Sequence, residues 1–148
     1  MSQNIAHNAM KQYAQVGAQS NVLGASPHRL IQMLMNGALE KMNLAKAALG
    51  RGQIGEKAQL ITLSINIIDG LRLSLDLERG GAIAQNLDDL YDYMVRRLVH
   101  ANAENNLDMI DEVASLLREI KNAWEAIPDQ AKSAIPSPGA DRLANVAG

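Results

Sequence analysis

The feature that most constrains the fold is the stretch from Leu73 to Leu98, in which apolar residues recur every three or four positions on both sides of Gly80-Gly81. This periodicity is typical of amphipathic α-helices. Glycine adopts a positive φ at no steric cost, so the glycine pair favours a sharp reversal of the chain. The stretch therefore predicts an antiparallel helical hairpin with more apolar surface than one core requires. Such a surplus usually marks a binding surface for a partner.

Composition favours a single all-α domain with an aliphatic core. The chain has 148 residues, of which 47% are hydrophobic, and this length suffices for one domain with a substantial core. Aromatic residues make up only 3%, with no Phe and 7 Met, a mixture that favours helices over strands. The 14 Lys and Arg residues against 16 Asp and Glu give a formal net charge of -2. A chain with this charge offers no strong basic field for nucleic acid or an anionic membrane.

Three features of the sequence bear on the compartment. Cys is absent, which excludes disulfides, cysteine-based metal sites and thiol nucleophiles. The first residues contain no basic leader followed by an apolar run, as a secretory signal would. No unbroken apolar stretch approaches the roughly 20 residues that span a bilayer. We therefore expect a soluble protein of the cytosol.

Four segments carry an apolar stripe at helical spacing. The first begins at Ser26-Pro27, because Ser caps a helix and Pro at its first position needs no backbone donor. The predicted helices run from Pro27 to about Leu49, from about Ile54 to Glu78, from beyond Gly81 to about Ala101, and from about Asp108 to Ile127, before Pro128. The stripes comprise Ile31, Met35, Ala38, Met42, Ala45 and Leu49; Ile54, Ala58, Ile61, Ile65, Ile68 and Leu75; Ile83, Leu87, Leu90, Met94, Leu98 and Ala101; and Ile110, Val113, Leu117, Ile120, Trp124 and Ile127.

Stripes of this spacing with short connections predict an antiparallel, up-down four-helix bundle. We place the bundle at residues 26–128, after an N-terminal segment at residues 1–25 and before a flexible tail at residues 129–148. Arg72 lies close to an apolar stripe, and we expect it to pair with Asp88 or Asp89 across the hairpin. Trp124 is expected in the core.

The second and third helices carry apolar residues beyond their stripes. On the second helix these residues lie on a face about 120° from the stripe. One interpretation is internal packing or self-association, and the other is a groove for an amphipathic helix or an extended segment of another protein. Under the second interpretation, the candidate binding residues are Leu60, Leu63, Ile67, Leu71, Tyr91, Val95 and Val99.

No pattern indicates catalysis or metal binding. No Glu is followed by His at the third position, which a carboxylate-bridged di-metal bundle needs. A nucleophile elbow, a phosphate loop and a dinucleotide fingerprint are missing. His100 lies off the stripe of the third helix and is the one candidate for a phosphotransfer histidine, although a surface histidine is the commoner case. We expect no enzyme activity, no cofactor and no metal.

A set of short motifs extends in order through residues 13–127. It comprises Ala25-Ser26-Pro27, Gly37-Ala38, Leu75-Asp76, Gly80-Gly81, Ile83-Ala84, Asn86-Leu87, Leu90-Tyr91-Asp92, Arg97-Leu98, Ala101-Asn102, Val113 to Leu117, and Trp124. With these motifs the chain resembles the flagellin-specific export chaperones, the FliS family, of bacterial flagellar type III secretion. It departs from the family pattern at His28-Arg29, where acidic residues are common, and at Met35-Asn36, where an aromatic residue and an acid are common.

The resemblance implies a chaperone that binds the C-terminal segment of newly made flagellin in the cytoplasm. It further implies that the chaperone prevents premature polymerisation and presents flagellin to the export gate, touching the membrane machinery only peripherally and using no ATP. The family's N-terminal segment can lie over the client surface, and Met10, Tyr13 and Val16 match such a lid. The alternative functions are a histidine phosphotransfer bundle and a self-associating helical adaptor, including a homodimer.

Overall fold

The fold consists of four α-helices in a computed structural model, which describes residues 25–127. They are α1 (Pro27–Gly50), α2 (Ile54–Leu73), α3 (Leu77–Glu104) and α4 (Leu107–Ala126). Residues 25–127 contain no strand. The predicted all-α four-helix bundle is confirmed.

Each helix packs against two neighbours, so the four helices form a closed ring. α1 contacts α2 and α4, and α3 contacts the same two helices. His28 near the start of α1 stacks on Trp124 near the end of α4, whereas Lys46 near the end of α1 pairs with Asp111 near the start of α4. α1 and α4 are therefore antiparallel, and so are α2 and α3, because Lys57 near the start of α2 binds Asn102 near the end of α3. We call the end with the start of α1 and the end of α4 the terminal end, and the opposite end the far end.

Side-chain caps explain several helix boundaries. The Arg29 backbone N–H donates to Ser26 Oγ over 3.2 Å, and Pro27 occupies the first turn, as the sequence predicts. α3 ends at Asn105, which adopts the left-handed conformation with φ 52°. α4 begins after Asn106, whose side chain accepts from the Met109 backbone N–H over 3.1 Å. Each cap satisfies backbone groups that the helix itself leaves unpaired.

The reversal between α2 and α3 lies earlier than predicted. α2 ends at Leu73 rather than Glu78, and the chain turns through residues 74–76. Asp76 then caps α3 by accepting from the Arg79 backbone N–H over 3.1 Å. Gly81 has the predicted positive φ, 53°, and its non-helical backbone separates a first helical turn at residues 77–80 from the rest of α3. The predicted break at the glycines is therefore present as a kink, but the main reversal lies at residues 74–76, because the Asp76 cap starts helical structure before the glycines.

The core is aliphatic, and the predicted stripe of α1 lies within it except for Leu49, which is half-buried. The predicted stripes of α2 and α3 are confirmed in part: Ile61, Ile68, Leu75, Met94, Leu98 and Ala101 are buried, whereas Ile54, Ile83 and Leu90 are exposed. The buried residues that the stripes missed include Lys57, Ser64 and Leu71 of α2 and Ala84 and Tyr91 of α3. Two of them are polar, and a pattern of apolar residues alone does not indicate polar core positions.

Candidate functional site

The candidate binding residues divide into a buried and an accessible group. Three belong to the core cluster: Ile67, Leu71 and Tyr91. Four retain accessible surface: Leu60, Leu63 and Val95, which are half-buried, and Val99, which is 52% exposed. The accessible group therefore offers apolar surface directly, and the buried group lies beneath it.

The accessible residues of α2 face away from α3. Arg72 marks the side of α2 that faces α3, because its Nε donates to Asp88 Oδ1 over 2.7 Å. Leu63 precedes Arg72 by nine residues, which is half a turn around a helix of 3.6 residues per turn. Leu60 is displaced from Arg72 by about 120° on the same basis and packs against the core. Leu63 thus lies on the side of α2 opposite Arg72, and Leu60 lies between Leu63 and the buried side of α2.

The accessible residues of α3 lie at the contact between α2 and α3. Val95 and Val99 follow Asp88 and Asp92 by seven residues each, and this spacing places residues on the same side of a helix. Both aspartates bind Arg72 of α2, which identifies that side as the one facing α2. The structure therefore places the α2 and α3 candidates on two separate surfaces.

A charged network crosses between α2 and α3 beside Val95. Arg72 binds Asp88 through Nε over 2.7 Å and Asp92 through Nη1 over 3.2 Å, and Arg96 Nε donates to Asp92 over 3.0 Å. The predicted pairing of Arg72 with Asp88 is confirmed, whereas Asp89 accepts from Gln85. Burial raises the pKa of Asp69, one turn before Arg72; the charge of Arg72 opposes that rise, and the charge of Asp92 adds to it.

Lys57 is a buried lysine that the sequence did not reveal. Its side chain is 2% exposed, and its Nζ donates to Asn102 O over 2.8 Å and to Asn102 Oδ1 over 2.7 Å. The Lys57 ammonium thus donates to a backbone carbonyl in the last turn of α3, where the helix dipole favours a cation. Burial lowers the pKa of Lys57. The sequence signal for this burial was the spacing of Lys57 from Ile61 and Ser64, because residues four and seven positions apart lie on the same side of a helix.

A second polar cluster joins α3 to α4 near the far end. Tyr93 Oη donates to Glu112 Oε2 over 2.5 Å, and Arg97 Nε donates to Glu112 Oε1 over 2.8 Å. The hydrogen bond from Tyr93, with that from Arg97, holds the pKa of Glu112 below its usual value, and the same bond to Glu112 raises the pKa of Tyr93. We call Tyr93, Arg97 and Glu112 the α3–α4 latch.

Two histidines have different environments. The His28 ring stacks on Trp124 at 4.5 Å, its Nε2 donates to Trp124 O over 3.1 Å, and Trp124 Nε1 donates to His28 O over 3.0 Å. This reciprocal contact ties α1 to α4 at the terminal end and packs a half-buried Trp124 against the core. His100 is exposed on α3, which is the location that phosphotransfer would require.

Other predicted features fall outside these surfaces. The lid candidates Met10, Tyr13 and Val16 lie outside the described residues, as does the predicted tail. No group of His, Asp and Glu side chains within residues 25–127 is arranged to hold a metal ion. Among the helices described, none is long and apolar enough to cross a membrane.

Comparison with known proteins places the chain in a family. The family model of the flagellar protein FliS matches residues 9–131. The flagellar secretion chaperone FliSB of Pseudomonas aeruginosa is 53% identical over 122 residues, which cover 82% of this chain and 97% of that protein. The flagellar secretion chaperone FliS of Salmonella typhimurium is 46% identical over 125 residues, covering 84% and 93%.

A more distant relative, the flagellar secretion chaperone FliS of Bacillus subtilis, is 34% identical over 115 residues, covering 77% of this chain and 85% of that protein. The family predicted from the ordered motifs is thus confirmed, and these relatives are chaperones rather than enzymes. The chain belongs to the FliS family of flagellar proteins.

Proposed function

We propose that this protein is a cytosolic chaperone that binds the C-terminal segment of flagellin, prevents its premature polymerisation and delivers it to the flagellar export apparatus. The observation that carries the proposal is the amount of apolar surface that the bundle leaves uncovered. Within residues 25–127, large apolar side chains are exposed on all four helices: Leu44, Ile54, Leu77, Ile83, Leu90, Val99 and Leu107. Apolar surface of this extent, in a family of secretion chaperones, favours a polypeptide client.

The client surface proposed here has two parts, one on each side of α2. Leu60 and Leu63 form the part that faces away from α3, and Val95 and Val99 form the part beside it. A client segment that contacts both parts crosses α2. The apolar face of the client is then buried against the chaperone. Such a client cannot use the same face to pair with another flagellin molecule. The buried candidates Ile67, Leu71 and Tyr91 support this surface from below.

The N-terminal segment is proposed to act as a lid through Met10, Tyr13 and Val16. An apolar segment tethered to the bundle competes with the client and lowers its apparent affinity, which keeps the empty surface covered. Delivery then consists of protein contacts between the chaperone–client complex and the export gate. It requires neither a membrane span nor a nucleotide.

Charge substitutions at the accessible positions test the client surface. Leu63→Asp and Val99→Asp would each place a carboxylate where the client buries apolar groups, and we expect about 10- to 100-fold weaker binding of a flagellin C-terminal peptide. Ser115→Asp is the control, because Ser115 is an exposed residue of α4, which the proposed client surface does not include. Calorimetric titration measures affinity, and circular dichroism establishes that each variant is folded. Folded Leu63→Asp and Val99→Asp variants that bind like the wild type would remove α2 and α3 from the client site.

A further inference from the structure

The α3 side of the boundary between α3 and α4 changes from polar to apolar toward the terminal end. Arg97 faces α4, because it binds Glu112. Leu90 and Ile83 precede Arg97 by seven and fourteen residues, which keeps them on nearly the same side of the helix. Leu90 is 37% exposed and Ile83 is 61% exposed. α4 therefore does not cover the side of α3 that it contacts at Arg97.

The α4 side shows the matching change. Leu116 and Ile120 follow Glu112 by four and eight residues, so they lie in the row that faces α3. Both are half-buried and pack against the core. Toward the terminal end, α4 is held to α1 by the contact of Trp124 with His28. Of the four interfaces between neighbouring helices, that between α3 and α4 is the least extensive.

Within the described helices, charged residues pair across the boundary between α3 and α4 near the far end but not near the terminal end. Glu119 lies seven residues after Glu112 and is exposed, so it occupies the equivalent place two turns nearer the terminal end. The α3 residue two turns before Arg97 is Leu90, which carries no charge. Of the ion pairs within residues 25–127, the one across this boundary joins Arg97 to Glu112, and none includes Glu119. The open part of the boundary is thus an apolar groove with a carboxylate on its α4 rim.

We propose that this groove, formed by Ile83, Leu87, Leu90, Leu116 and Ile120 with Glu119 on its rim, docks an amphipathic helix of a partner protein that carries Lys or Arg beside its apolar stripe. The partner's Lys or Arg pairs with Glu119, as Arg97 pairs with Glu112. Its apolar residues cover Ile83 and Leu90. The site lies across a different helix boundary from Leu60, Leu63, Val95 and Val99, although Ile83 and Leu90 also belong to the uncovered apolar surface on which the proposed function rests.

Charge also distinguishes this partner from a second copy of the chain. A two-fold dimer through the groove would set each apolar row, with its Glu119, against the same row of the other copy. Of the residues that form the groove, only Glu119 is charged, so a second copy's groove offers Glu119 no cation. A helix with basic flanks supplies that cation.

Two designed helical peptides of roughly 18 residues test the proposal. Both carry Leu at positions i, i+3, i+4 and i+7, and they differ only in having Lys or Glu beside the Leu stripe. We expect the full chain to bind the Lys peptide, and we expect Leu90→Gln and Ile83→Gln to weaken that binding by about tenfold. Leu44→Gln is the control, since Leu44 is an exposed apolar residue of α1 that belongs neither to the groove nor to the proposed client surface.

A charge reversal supplies the sharper test. Glu119→Lys should reverse the preference, so that the Glu peptide binds more tightly than the Lys peptide. Glu40→Lys makes the same charge change at an exposed position of α1 and should leave the preference unchanged. An equal response to Glu119→Lys and Glu40→Lys would overturn the proposal, because attraction would then reflect net charge. A chain that sediments as a dimer and becomes monomeric with Leu90→Gln would also overturn it, since the groove would bind a second copy.

Discussion

The helices α1 and α3 occupy equivalent positions in the ring but are held there by different forces. α1 contributes 11 buried residues among 24, nearly all of them apolar, whereas α3 contributes five among 28. α3 therefore depends more on polar contacts than α1 does: Lys57 binds its last turn, Arg72 its α2 side and Glu112 its α4 side. Burying one large apolar side chain contributes about 1.5–3 kcal/mol, and an exposed ion pair contributes about 0–1 kcal/mol.

The difference indicates a division of roles within one small bundle. α1 supplies more buried apolar residues than any other helix and therefore the largest single share of the apolar burial. α3 presents Ile83, Leu90 and Val99 to solvent, which a stability optimum would not favour but a binding protein requires. The helix with the smallest buried fraction of its residues thus carries the most exposed large apolar side chains. Substitutions that affect α1 and α3 in different ways test this comparison.

Matched truncations in the two helices should give the largest contrast. Met42 of α1 is fully buried and Ile83 of α3 is 61% exposed. We expect Met42→Ala to lower the free energy of unfolding by about 2–5 kcal/mol, because it leaves a cavity. Ile83→Ala should change it by less than about 0.5 kcal/mol. Urea denaturation measures both, and similar losses for the two variants would show that α3 contributes as much packing as α1.

The buried lysine provides the next largest effect. Lys57→Ala removes both hydrogen bonds to Asn102 from a site that is 2% exposed, and we expect a loss of about 1–3 kcal/mol in the free energy of unfolding. Lys46→Ala is the control: Lys46 pairs with Asp111 at the surface, and losing such a pair should cost below about 1 kcal/mol.

Hydrogen exchange should localise the Lys57→Ala effect. Amide protection in the last turn of α3 should fall more than protection in α1, since Lys57 binds Asn102 and does not bind α1. Equal loss of protection in both helices would indicate that Lys57 stabilises the bundle as a whole.

The sequence predicts α1 better than α2 or α3, for physical reasons. The Ser26-Pro27 cap and a wholly apolar stripe point to the same helix, so local and tertiary preferences agree. On α2, Lys57 and Ser64 occupy core positions, and a lysine that finds a buried acceptor looks in sequence like any surface lysine. Only the packed structure supplies Asn102 as that acceptor.

The candidate site was predictable to the same limited extent. Apolar residues on two faces of α2 and α3 indicate surplus apolar surface, but helix rotation decides which face enters the core. The structure puts Ile67 and Tyr91 inside and leaves Val99 accessible. The pairing of Arg72 with Asp88 was predictable, because opposite charges flank the stripes on both sides of the turn.

The α3–α4 latch should make stability depend on acid pH. Hydrogen bonds from Tyr93 and Arg97 lower the pKa of Glu112, so ionised Glu112 stabilises the fold above its unfolded-state pKa of about 4.3. That stabilisation is lost as the pH falls through the folded-state pKa. Glu112→Gln should therefore be less stable than wild type at pH 7, by below about 1 kcal/mol for so exposed a group. The difference should shrink on acidification, as urea midpoints at several pH values will measure.

Asp69 should respond with the opposite sign and the smallest effect. Burial raises its pKa, so the folded state favours the protonated carboxyl, and stability falls as the pH rises from the unfolded-state pKa of about 3.9 through the folded-state pKa. Asp69→Asn should be slightly more stable than wild type at pH 7, and this gain should vanish at a pH below both values. If acidification changes the Glu112→Gln and Asp69→Asn differences in the same direction, the polar contacts on the two sides of α3 do not act as their geometry indicates.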